Sequence, residues 1–170
     1  MIKHRIVHLP SFEVVGLKTW ISGQDNEIFG RFWDRCQQDG SLDVLRQITG
    51  VQAGRYTQGF MLGVSRVEQD PSNRSFYYMI AVEVPEGGVI PGDLEVYRVP
   101  ETQWAIFECQ GQIPESIVQA EMYAFMEWLP SSRYEHALAP EIEVYLAGDA
   151  CEFWLPITAT SSVAVDAELG

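Results

Sequence analysis

The chain has 170 residues, 46% of them hydrophobic and 12% aromatic, enough for one domain with one sizeable core. Its 24 acids against 11 lysines and arginines give a formal net charge of −13, a balance that repels nucleic acid and anionic membranes and concentrates cations. No apolar run reaches the roughly 18 residues of a membrane helix, and Met1-Ile2-Lys3-His4-Arg5 lacks the apolar stretch of a signal peptide. A cytoplasmic protein with no membrane association and no direct nucleic-acid binding is therefore expected.

In chain order, Glu13 to Trp20 is a strand, and Asp25 is placed to cap the helix that follows. Ile28, Phe29, Phe32, Trp33 and Cys36 recur at helical spacing and form one apolar face. From Gln37 to Arg55 the pattern is that of a helix end and an irregular segment. Phe60 to Val67 and Phe76 to Val84 are strands of a hairpin, joined by the turn residues Asp70-Pro71-Ser72-Asn73. After Pro85-Glu86-Gly87-Gly88, Leu94 to Val99 and Gln103 to Gln110 form one bent strand or two. Pro114 opens a second helix whose stripe is Val118, Met122, Phe125 and Leu129. Glu141 to Leu146 and Glu152 to Thr158 are the last strands, and a flexible tail occupies residues 159–170.

Helices alternating with strand pairs make the fold class α+β: a duplicated βαββ repeat, about 3–85 and 93–158, within one domain of residues 1–158. The expected arrangement is an antiparallel sheet with two helices on one face and a ligand pocket on the other. Cys36, Cys109 and Cys151 are too scattered for a disulfide framework, and three scattered histidines offer no metal site; neither cofactor nor metal is expected.

Trp128-Leu129-Pro130-Ser131-Ser132-Arg133-Tyr134-Glu135, Pro140-Glu141-Ile142-Glu143-Val144-Tyr145 and Glu152-Phe153-Trp154-Leu155-Pro156-Ile157 together resemble the GyrI-like small-molecule-binding domain family. The resemblance extends over residues 3 to 158 and includes Glu13-Val14-Val15-Gly16-Leu17 and the helix carrying Phe32-Trp33. It implies a duplicated βαββ fold with a central pocket, and in many members a glutamate with aromatic walls that binds hydrophobic cations. In the regulators of this family the domain is fused to a DNA-binding helix-turn-helix; this chain is expected to be a stand-alone member.

Glu152 is the leading candidate ligand, since its place matches the family glutamate. It shares a strand face with Trp154, whose indole suits a cation. Glu143 and Tyr145 share a face of the neighbouring strand, and Tyr78 and Phe60 are candidate pocket walls. The expected partners are hydrophobic cationic small molecules. The alternatives on the same scaffold are a hydrolase of strained electrophiles, with Glu152 as general base, and a gyrase-inhibitor-like interaction protein. Glu121 falls near the stripe of the second helix, where a solvated flank is the simpler reading.

Overall fold

The computed structural model describes residues 2–23, 25–51 and 53–160. Nine strands, four α-helical segments and one π-helical turn are arranged along it: β1 (His4–Leu9), β2 (Phe12–Ile21), α1 (Ile28–Gln38), α2 (Ser41–Val51), β3 (Met61–Arg66), β4 (Phe76–Glu83), β5 (Glu95–Val99), β6 (Thr102–Cys109), α3 (Glu115–Tyr123), a π-helical turn (Ala124–Trp128), α4 (Leu129–Ser131), β7 (Tyr134–His136), β8 (Glu141–Tyr145) and β9 (Cys151–Ala159). All pairings are antiparallel, in the order β1-β6-β9-β8-β3-β4-β2-β5, with β7 against the end of β9. The α+β class and the antiparallel sheet are as expected. The β3–β4 turn is fastened by Asp70, whose Oδ1 accepts from the Ser72 amide at 3.1 Å and hydroxyl at 2.6 Å.

The strand β1 was hidden in the pattern, whereas β5 and β6 fall where one bent strand or two were expected. β1 and β2 are separated only by Pro10 and Ser11, and β5 and β6 only by Pro100 and Glu101. One register runs unbroken across both kinks, from His4↔Phe107 through Leu9↔Thr102 and Phe12↔Val99 to Gly16↔Glu95. Each pair of short strands is thus one long bent strand, interrupted where a proline removes a ladder donor. Because β1 lies at one end of the sheet order and β2 near the other, this bent ladder brings the two ends together. The sheet closes around Val14, Leu62, Val64, Met79, Ala81, Val99, Trp104, Ile106, Ile142, Val144 and Trp154, all 3% exposed or less.

The other sheet face carries the helices in two separate groups. Phe32, Cys36, Leu42 and Leu45 from α1 and α2 pack on Tyr78, Ile80 and Val82 of β4, while Ile117, Ala120 and Ala124 pack on Phe107, Phe153 and Leu155. The segment expected to be irregular after Gln37 contains α2. The stripe expected on the second helix is buried only in its second half: Phe125 and Leu129 pack against the core, while Val118 and Met122 are half exposed. Small alanines let α3 approach the sheet, and the π-helical turn shifts the periodicity on which the expected stripe was drawn. Asp25 bonds the Glu27 amide, one residue ahead of the helix it was expected to cap. Of the expected tail, residues 161–170 lie outside the described residues.

The closed sheet also corrects the expected placement of the pocket. The face opposite the helices is filled by its own core, and the open space is on the helical face. Its approach is shaped by the loop before β3, where Gln58 and Gly59 both take positive φ. That conformation is held by Glu83, 3% exposed, which accepts the amides of Arg55, Tyr56 and Thr57 at 2.9 Å each and the Thr57 hydroxyl at 2.8 Å. Replacing Glu83 with Ala leaves those donors without their acceptor, the Thr57 amide and hydroxyl among them buried. An expected loss of about 3 kcal/mol, read by urea denaturation, follows from the desolvation of unpaired donors and the loss of charge-assisted bonds.

Candidate functional site

The gap between the two helical groups is a cavity of about 1050 Å³, at the upper end of the ~300–1,000 Å³ range of ligand sites. Its floor is β8, whose alternation turns Ile142 and Val144 into the closed core and Glu141, Glu143 and Tyr145 outward into the cavity. Phe29 and Trp33 of α1, Phe60 and Met61 at the start of β3, Tyr78 of β4 and Ile117 of α3 form the walls. The rings are mutually braced: Trp33 meets Tyr145 edge-on at 4.9 Å, and Phe29 meets Tyr78 at 4.8 Å.

Glu143 is the centre of the polar network. Its Oε1 accepts the Tyr145 hydroxyl at 2.7 Å and the Tyr78 hydroxyl at 2.9 Å, and Tyr78 in turn accepts the Trp33 indole N–H at 3.0 Å. Across the β3–β8 ladder Glu143 faces Gly63. A Cβ at position 63 would collide with both the Tyr78 hydroxyl and the Glu143 carboxylate, so the glycine is what leaves room for the network.

Three carboxyls enter the cavity, in different states. Burial works to raise the Glu141 pKa, but hydrogen bonds from His136 and Arg74 outweigh it and hold the group below its usual value. The Arg74 bond is bidentate, at 3.0 and 3.1 Å, and His136 Nε2 lies at 2.8 Å. Glu141 is thus ionised and paired. Burial pushes Glu143 up, and the two tyrosine hydroxyls only partly offset it. Burial pushes Glu121 well above the carboxylate range, and the charges of Glu143 and Glu141 push it further. Among the described residues no basic side chain pairs with Glu143.

Of the residues selected from sequence, Glu143, Tyr145, Tyr78 and Phe60 line the cavity together. Glu152 and Trp154 do not. They face the closed core side of β9, where Glu152 takes the Trp154 indole N–H at 3.1 Å and pairs with Arg5 at 3.0 Å. The cation expected from a ligand is supplied by the protein's own β1, a strand absent from the sequence reading. The same placement leaves the general-base role drawn for Glu152 outside the cavity.

Glu121, Glu141 and Trp33 were missed as site residues. Alternation along Glu141-Ile142-Glu143-Val144-Tyr145 signals that Glu141 shares the face of Glu143. Nothing local signals Glu121, because its direction follows from which face of α3 meets the sheet.

A family model described as "GyrI-like small molecule binding domain" matches residues 2–158. The solved structure of SAV2435 bound to tetraphenylphosphonium is 25% identical, with a TM-score of 0.72 over 92% of this chain and 94% of that one. A candidate bacterial transcription regulation protein from Staphylococcus aureus MU50 is 23% identical, with a TM-score of 0.71 over 94% of this chain and 100% of that one. The transcriptional regulator BrlR of Pseudomonas aeruginosa is 30% identical over 111 residues, 65% of this chain and 36% of that protein, so the chain spans about a third of the regulator's length.

The raised Glu121 pKa fixes a pH dependence of stability. Between its unfolded and folded values the native state holds the extra proton, so the stability it confers is complete at low pH and is lost as pH rises through the folded value. Glu121→Gln should match wild type below about pH 4, gain on it by up to about 1.4 kcal/mol per pH unit between the unfolded and folded values, and level off once Glu121 ionises in the native state. Thermal melts of both proteins across the pH range check this.

Proposed function

The chain belongs to the GyrI-like small molecule binding domain family, and on that premise we propose that its cavity binds hydrophobic organic cations. The observation that carries the proposal is Glu143: a carboxylate set among aromatic rings with no basic partner among the described residues. Burying an ionised carboxylate costs several kcal/mol unless a positive charge compensates it. Here hydroxyl donors compensate only in part, and a cationic ligand completes the pairing.

The walls suit the same class. Trp33 and Tyr145 present π-systems beside the carboxylate, and desolvated cation–π contacts contribute roughly 2 kcal/mol each. Phe29, Phe60 and Ile117 give apolar surface to a ligand's rings, and Met61 adds a wall that adapts to shape. The tetraphenylphosphonium held by SAV2435 belongs to this ligand class, which supports the reading.

Tetraphenylphosphonium should bind with quenching of Trp33 fluorescence. Glu143→Gln should weaken it by about tenfold or more, as expected for losing one desolvated charge pair. Glu152→Gln should bind as wild type, since Glu152 is engaged with Arg5 on the other sheet face. Affinity should fall as pH drops through the raised Glu143 value, because the charged form is the ligand. Fluorescence titration of the three proteins decides between Glu143 and Glu152.

A further inference from the structure

The cavity holds more carboxyl than one cation needs. Glu121 reaches in from α3 and Glu143 from β8, both line the same cavity, and the charge of Glu143 acts to raise the Glu121 pKa. Two carboxylates set together in one desolvated cavity repel each other, so one of them keeps a proton. Tyr78 and Tyr145 both donate to Glu143 Oε1, which makes Glu143 the acceptor and Glu121 the seat of the proton.

The other charged groups around the pair are already satisfied. Glu141, beside it on β8, is bound to Arg74 from the β3–β4 turn and to His136 of β7. Cys151 on β9 stays a neutral thiol, its pKa pushed up by its contact with Cys109 and by burial. Burial keeps the Tyr78 and Tyr145 hydroxyls protonated. At the rim, Arg46 of α2 pairs with Asp43, and Glu27 with Arg31 of α1. The pair therefore presents one negative charge and one removable proton.

Building on the cation-binding reading above, we propose that the Glu121–Glu143 pair makes the cavity a two-charge site, which takes a monocation with its proton kept and a compact aromatic dication with its proton released. A desolvated cavity penalises net charge of either sign. A monocation neutralises the singly ionised pair, and nothing is gained by losing the proton. A dication leaves one positive charge over unless Glu121 gives its proton to buffer, after which both carboxylates face the ligand. One proton leaves per dication bound, and no other bond changes.

The test is isothermal titration calorimetry in two buffers of different ionisation enthalpy, which counts protons released. Methyl viologen is the dication, N-methyl-4-phenylpyridinium its near-isosteric monocation, and tetraphenylphosphonium the control for cation binding itself. Expected are release of about one proton with the dication and about none with either monocation, and dication affinity rising about tenfold per pH unit while the pair still holds its proton. Glu121→Gln keeps a donor toward Glu143 but has no proton to give. It should abolish the release and weaken the dication about tenfold or more beyond any change in the monocations. Equal proton release by both viologen-shaped probes, or dication binding with none, overturns the proposal and leaves cation binding standing. If tetraphenylphosphonium also fails to bind, the cation reading fails and the two-charge site fails with it.

Discussion

The molecule depends on one ladder, formed by two bent strands that share a register across the kinks at Pro10 and Pro100. Each kink is only two residues long, so the chain cannot cross between distant elements there; at ~3.5 Å per residue it spans about 10 Å at most. The two ends of the sheet order must therefore lie side by side. Closure gives Trp104, Ile142, Val144 and Trp154 a common interior and uses up one sheet face. Helices can pack only on the other face. The α1–α2 group covers β4, and α3 covers β6 and β9, so the central β3–β8 pair lies between them as the floor of the cavity.

Four glutamates show how differently this fold meets the cost of a desolvated carboxylate. Glu83 is wrapped by three backbone amides and a hydroxyl, and it fixes a loop. Glu141 has an arginine and a histidine, Glu152 an arginine and an indole. Those three are complete within the protein. Glu143 has only neutral hydroxyls, with Glu121 lining the same cavity. That incompleteness, set among aromatic walls, distinguishes Glu143 from the three carboxylates that are paired within the protein. It is a property of neighbours, and residue type alone does not reveal it.

Much of the fold was legible because it rests on local chemistry. Period-two alternation marked β2, β3, β4, β8 and β9, Asp70-Pro71 marked the turn between β3 and β4, and Phe32 and Cys36 marked the buried face of α1. The site was legible in part: Glu143, Tyr145, Tyr78 and Phe60 were selected, and they converge on one cavity. β1 escaped because its burial is slight and the strand it pairs with, β6, lies about a hundred residues away. α3 was found, but its buried face was misjudged, because side-chain size suggested Val118 and Met122 where close approach to the sheet required Ala120 and Ala124. Glu121 was read as a solvated flank for the same reason.

The sequence by itself determined the element types, the acidic balance, the membership of the GyrI-like family and the supply of aromatic and acidic side chains on strands. Spacing and turn chemistry act within a few residues, so one chain without relatives suffices to show them. Only the tertiary structure decided which carboxylate stands free. Glu143 and Glu152 look equivalent in their strands, each two residues before an aromatic ring. Strand closure brings Arg5 to Glu152, and Gly63 opens space above Glu143. The difference between a carboxylate paired with an arginine and one held only by hydroxyls is therefore set by contacts that no local pattern records.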